Sequence, residues 1–306
     1  MDIGRARLAG ALVALSCLVA SAHANAQAPP QAAEARRAPP ATVDPLIVTA
    51  PVKPTAKELD RLASAFTRAL SEPGRSGQLS RWMTTPCPRV LGLPGDLNAI
   101  VEARIRRIAS EVGAPGSPPC GANNLFVLAT DQPQKLVDAI QRQRPRMLGF
   151  HYAAQTKRLT TFKGPVQAWY VTATGRRDES TAVIDEASIQ MPGGSAGSRL
   201  SAGITSRFEA VLIVVDAARV PDQSIDRLAD AIAMLGLARA PMTDGCRDLA
   251  TILDALEDCE SSVGLNGLSA ADHAYLVGLY GSNPELSPSL QKSAVRASVR
   301  RDLDRD

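Results

Sequence analysis

Glu209-Ala210-Val211-Leu212-Ile213-Val214-Val215-Asp216-Ala217 decides the fold class of this chain. Five consecutive apolar residues, most of them β-branched, stand between charged flanks. The run lacks the alternation of a half-exposed strand, so it reads as a central strand covered on both faces. Upstream, Asn124 to Thr130, Val166 to Ala173 and residues 182–190, around Ala182-Val183-Ile184, carry further strand signals. Asp131 is placed to cap a helix bearing Leu136, Val137 and Ile140. Pro192-Gly193-Gly194-Ser195-Ala196-Gly197-Ser198 reads as a loop.

Helical patterns surround these strands. Thr55-Ala56-Lys57-Glu58 is a capping box, in which hydroxyl and carboxylate each satisfy an N–H at the helix start. Leu59, Leu62, Ala63, Phe66 and Leu70 follow at helical spacing, and Pro73-Gly74 ends the pattern. A second helix is expected over 97–112, capped by Asp96. Its predicted buried stripe is Leu97, Ile100, Val101, Ile105, Ile108 and Val112, which leaves Arg104, Arg106 and Arg107 on a solvated face. Beyond the central strand, helices are expected near 223–237, 247–256, 270–280 and 287–300. Strands mixed with helices, then a helical C-terminal third, predict an α/β or α+β fold: a single mixed-sheet domain over 55–300, with 301–306 as a tail.

The N-terminus speaks to location. Arg5 and Arg7 precede an apolar run from Leu8 to Ala22, and Ala24-Asn25-Ala26 offers the small residues read by a signal peptidase. Residues 1–26 are therefore expected to be a cleaved signal peptide, with Gln27 first in a periplasmic or secreted protein. Cleavage would remove Cys17 and His23. Lipid anchoring at Cys17 is disfavoured, because that cut would fall inside the apolar run. Residues 27–54 read as a Pro/Ala-rich disordered linker. Within it, Asp44-Pro45-Leu46-Ile47-Val48-Thr49-Ala50 resembles the box by which TonB-dependent receptors pair with an envelope partner. An extended tether is the simpler reading of those seven residues.

Composition excludes more than it assigns. The chain carries a formal charge of +3. Loss of Asp2, Arg5 and Arg7 leaves it about +2, too balanced to indicate nucleic acid. No eighteen-residue apolar run follows residue 27, so no transmembrane span is expected after cleavage. Four of the cysteines would survive: Cys87, Cys120, Cys246 and Cys259. An even number in an oxidising compartment predicts disulfides, and locality favours Cys87–Cys120 and Cys246–Cys259 over the two other pairings. No C-x-x-C is present to suggest zinc.

Catalytic motifs are sparse. There is no P-loop or H-E-x-x-H. Ser289-Leu290-Gln291-Lys292 fits S-x-x-K, but without the S-x-N and K-T-G that should follow it. His151, beside Tyr152, and His273 are the histidines left to serve as a general base. Asp185-Glu186 would point to opposite faces of a strand.

The last hundred residues resemble a known family. Val211 to Val215 is followed by a helix ending Ala233-Met234-Leu235-Gly236-Leu237. Then come Thr251-Ile252-Leu253-Asp254 and the segment from Leu268 to Tyr280, with Leu268, Asp272, Leu276, Leu279 and Tyr280 in an L-x-x-x-D-x-x-x-L-x-x-L-Y pattern. This order resembles the C-terminal half of zincin-like secreted proteobacterial proteins, whose active helix closes on Leu-Gly-Leu. Elements around Trp82 and the 97–112 helix fit the same plan. The resemblance implies that the first metal histidine is replaced by Ala229, the catalytic glutamate by Asp230, and the second histidine by Ala233. Alanine has no donor atom, so no metal and no cofactor are expected. The expected role is an exported, soluble, non-catalytic binding or envelope-associated protein, a pseudo-enzyme. The alternative is a hydrolase-like enzyme using carboxylate, Tyr or Ser groups without a metal.

Overall fold

A computed structural model describes residues 54–305 other than 75, 117–119, 150–155, 158, 177–182, 185–197, 199, 221–223, 242–244 and 258. Its sheet is built from β1 (Pro88–Leu91), β2 (Leu125–Thr130), β3 (Val166–Gly175), the two-residue β4 (Val183–Ile184) and β5 (Thr205–Asp216), in the spatial order β1-β2-β5-β3-β4. The quoted run thus lies in the middle strand. β1, β2 and β5 are parallel, with Leu125 opposite Val211, while β3 runs antiparallel to β5 from Val166↔Val215 to Gly175↔Thr205. β4 extends the antiparallel edge.

The period of two sorts β5 between two cores. Val211, Ile213 and Val215 face the main core, whereas Leu212 and Val214 face a smaller cluster with Val137, Leu148 and Trp169. All five side chains of the run are at most 2% exposed, which explains the missing alternation. The smaller cluster is covered by α3 (Pro133–Gln143) and the 3₁₀ turn Pro145–Leu148. The main core takes in α1 (Ala56–Leu70), α2 (Leu97–Glu111), α4 (Ile225–Leu237), α5 (Ala270–Gly281) and α6 (Pro288–Leu303). The result is a single mixed α/β domain. Among the described residues, no helix is long and apolar enough to cross a membrane.

The capping box at Thr55 forms: the Thr55 hydroxyl accepts from the Glu58 N–H, and the Glu58 carboxylate accepts from the Thr55 N–H at 2.8 Å. Cys87 is bonded to Cys120 and Cys246 to Cys259, with Cα separations of 5.7 and 5.6 Å. Each bridge closes a local loop.

Several local expectations fail for physical reasons. Asp96 does occupy the N-cap position of α2, but its side chain makes no cap hydrogen bond. Asp131 is not a cap: α3 begins with Gln132 at the cap and Pro133 in its first turn, where the missing N–H costs nothing. Ile100 is 40% exposed. The buried face of α2 runs through Val101, Ile105, Ile108 and Val112, and Arg104 lies on that face at i+3 from Val101. No α-helix forms over 247–256, where turns precede the 3₁₀ stretch Asp254–Leu256. There the Arg247 N–H bonds the Asp254 carboxylate and the Ile252 N–H bonds the Asp272 carboxylate, both at 2.7 Å. Side-chain acceptors have replaced the helical ladder. Residues 1–53, His151, Tyr152 and Asp185-Glu186 lie outside the described residues.

Candidate functional site

α4 is the helix on which the sequence expectation placed Ala229, Asp230 and Ala233. Ser224 caps it, accepting from the Arg227 N–H at 3.2 Å. From Leu228 to Leu237 every residue is buried, as expected for a helix apolar almost all round. Ala229, Asp230 and Ala233 are 1%, 1% and 0% exposed. The two alanines contribute methyl groups to the core.

Asp230 is the exception in polarity, and three N–H donors occupy it. Arg104 Nε and Nη2 approach its two oxygens at 2.5 and 2.8 Å, and the Leu268 N–H donates at 2.8 Å. The bidentate contact also holds the guanidinium more firmly protonated, the Asp230 hydrogen bond being the leading cause. Gly267 completes the enclosure: a Cβ there would lie 2.7 Å from Asp230 Oδ2, so the loop can come this close only without a side chain. Chemically, this is a neutralised carboxylate cross-linking α2, α4 and the 267–268 loop. It has little lone-pair capacity left for a metal or a water.

The Leu-Gly-Leu end of α4 has a packing explanation. The last four carbonyls of a helix have no partner within it. Here Met234 O receives the Ala238 N–H, Leu235 O the Tyr170 hydroxyl at 3.0 Å, Gly236 O the Trp82 Nε1–H at 2.8 Å and Leu237 O the Tyr280 hydroxyl at 2.7 Å. Three aromatic side chains thus cap one buried helix terminus. Burial pushes the Tyr170 and Tyr280 hydroxyls well above the usual phenol range. A Cβ on Gly236 would meet Leu125 Cδ1 at 2.7 Å, so the glycine sets how closely α4 lies on the sheet.

The other buried polar groups serve the same kind of joint. Asp272 is fully buried in a capping box with Ser269. Its carboxylate accepts from Thr251 Oγ1 at 2.6 Å, the Ile252 N–H at 2.7 Å and the Ser269 N–H at 3.0 Å, tying the 251–252 turn to α5. Burial raises its pKa, and these hydrogen bonds oppose the shift. Asp254 is paired with Arg247 inside the loop closed by Cys246–Cys259. Arg81, 3% exposed, donates to the Leu279 and Ser282 carbonyls at the end of α5, and burial lowers its pKa to about 10. Tyr275 donates to Leu70 O at 3.0 Å, and burial pushes its hydroxyl up to about 12. His273 lies exposed on α5 and Ser289 exposed on α6, and neither is brought to the Asp230 pair.

The outer face differs in character. Asp60 at the start of α1 pairs with Arg300 near the end of α6 at 3.2 Å, so the two helices run antiparallel. Toward the other end of that contact, a groove of about 410 Å³ is lined by Ser64, Thr67, Arg68, Ser71, Lys292, Ser293 and Arg296. The sequence offered little warning of it, since the two stripes are more than two hundred residues apart. The signal that could have been read is Ser64, Thr67, Arg68 and Ser71 at i, i+3, i+4 and i+7 on one helix face.

Among the described residues, no three His, Cys, Asp or Glu side chains converge as metal ligands. Compared with protein families, with curated proteins and with solved structures, this chain matches none.

Proposed function

We propose that this chain is an exported protein that acts by binding in the cell envelope or outside it, on a zincin-like scaffold whose metal motif has been replaced. One observation carries the reading. Where that family would present two histidines and a free carboxylate, α4 buries Ala229 and Ala233 and commits Asp230 to Arg104. A catalytic zinc needs three protein ligands and an open position, and this donor set supplies one saturated carboxylate. The buried groups that a metal-free hydrolase would need are also committed. The Tyr170, Tyr275 and Tyr280 hydroxyls donate to backbone carbonyls, and Asp254 and Asp272 accept from fixed donors. Two disulfides suit the oxidising compartment that the N-terminal pattern predicts.

The test is a secreted preparation of the full-length gene product, purified without chelator or added metal. Intact mass should place the N-terminus at Gln27 with no lipid, and elemental analysis should find substoichiometric zinc. One equivalent of zinc, lost on chelation together with a peptidase activity, would refute the reading. A diacylated Cys17 would replace the soluble form with an anchored one.

A further inference from the structure

We propose that the groove between α1 and α6 is a binding site for a phosphate-type oxyanion. Its wall holds three cations, Arg68, Lys292 and Arg296, and no carboxylate. None of the three has an ion-pair partner among the described residues. Elsewhere along the same helices two of the four cations are paired among the described residues, Arg300 with Asp60 and Arg61 with Asp248. The neighbouring groove of about 290 Å³ contains Asp60 and Asp304 beside Arg296, Arg300 and Arg301, as a solvated mixed-charge face should. Arg296 borders both grooves, whereas Arg68 and Lys292 face a wall with no carboxylate, and an anion seated there would offset the repulsion among the three like charges.

Hydroxyl groups accompany the charge. Ser64 and Thr67 come from α1 and Ser293 from α6, while Ser71, just past the end of α1, has its hydroxyl bonded to Tyr275 at 3.1 Å. Thr67 is 4% exposed and its Oγ1 has no hydrogen-bond partner, an unusual state for a buried hydroxyl; a small side-chain shift in the groove wall would bring it within reach of a ligand oxygen. Arg68, Ser293 and Arg296 are exposed, so the site is open to solutes. A phosphate group has enough oxygens to accept from a guanidinium, an ammonium and a hydroxyl together, which a carboxylate with two oxygens does less well. The groove also leaves room for whatever the phosphate is esterified to. Either a soluble phosphate or a lipid headgroup could supply this chemistry.

The inference deepens the binding reading by naming its ligand class, yet the two fail separately: zinc-dependent activity would sink the former without touching the groove's affinity. Inorganic phosphate is titrated calorimetrically into the full exported protein at low salt. Saturable binding is expected. The triple variant Arg68→Gln, Lys292→Gln, Arg296→Gln should weaken it at least about tenfold, the equivalent of about 1.4 kcal/mol. A charge-matched control at the exposed Arg89, Arg107 and Arg142, each changed to Gln, should shift it less than about twofold. Thr67→Val should bind several-fold more weakly while its thermal midpoint does not fall, because the substitution removes an unsatisfied buried hydroxyl. In a second arm, protein is sedimented with phosphatidylglycerol or phosphatidylcholine vesicles. Retention on the anionic vesicles that is lost in the groove variant assigns the phosphate to a headgroup. Phosphate binding without vesicle retention assigns it to a soluble ligand. Absence of binding in both arms, equal losses in the groove and control variants, or full affinity in Thr67→Val would overturn the site.

Discussion

Arg104→Met should be the most informative single substitution on the main core. The guanidinium it removes is 29% exposed, whereas the carboxylate it strands is 1% exposed. Of the three N–H donors now on Asp230, only the Leu268 N–H would remain. Breaking a buried pair from one side costs roughly 3–5 kcal/mol, and the lower end applies because that N–H and the partial opening left by Arg104 soften the penalty. Asp230→Asn should cost less, about 1–2 kcal/mol. Its amide oxygen can still accept from Leu268, and Arg104 can turn toward water. The double variant should cost about 2 kcal/mol, less than the sum of the two, because no buried charge is then left alone. Urea unfolding of the four proteins, followed by far-ultraviolet circular dichroism, measures the cycle. At roughly 3 °C per kcal/mol for a domain of this size, Arg104→Met should also lower Tm by about 9 °C. Additivity within about 0.5 kcal/mol, or a larger loss in Asp230→Asn than in Arg104→Met, would falsify the assignment of this pair as a buried cross-link.

Other joints make separate predictions. Because burial raises the folded-state pKa of Asp272 above its ordinary 3.8, its contribution is fully present below that value and lost as pH rises through the folded pKa. The stability of wild type relative to Asp272→Asn should therefore decline with rising pH and then level off; a rising difference would contradict the shift. Gly278→Ala should destabilise the domain in urea despite about 1 kcal/mol of gained helix propensity, because its Cβ would stand 2.8 Å from Ser298 Cβ and 2.9 Å from Val295 Cα. An unchanged or higher urea midpoint would show that α5 and α6 can separate freely. Replacing Cys246 and Cys259 together by Ala should cost about 3 kcal/mol, and the Cys87 and Cys120 pair about 4 kcal/mol for its longer loop. Thermal unfolding of the two double variants checks the order.

What was legible in the sequence was what short stretches encode. Val211 to Val215 announces a strand covered on both faces, because an unbroken apolar run has no face to give to water. Thr55 and Glu58 mark a helix start because their reciprocal bonds span three residues. Local loop closure predicted both disulfide pairs. Ala229 and Ala233 offer no metal-donor atom whatever the fold.

Only the tertiary structure decided what those elements do to one another. Arg104 looks like one of three surface arginines until α4 supplies a carboxylate from 126 positions away. Segment 247–256 has a helical composition, yet its N–H groups are taken by Asp254 and by Asp272 on a distant helix, which no local propensity contains. The aromatic cap on α4 unites Trp82, Tyr170 and Tyr280 at carbonyls remote from each in sequence. The cationic groove likewise exists only because α1 and α6 pack antiparallel at opposite ends of the domain's sequence. Propensity and periodicity are sums over neighbours in the chain, whereas a buried charge or an orphan carbonyl is satisfied by whichever group the fold brings within hydrogen-bonding reach.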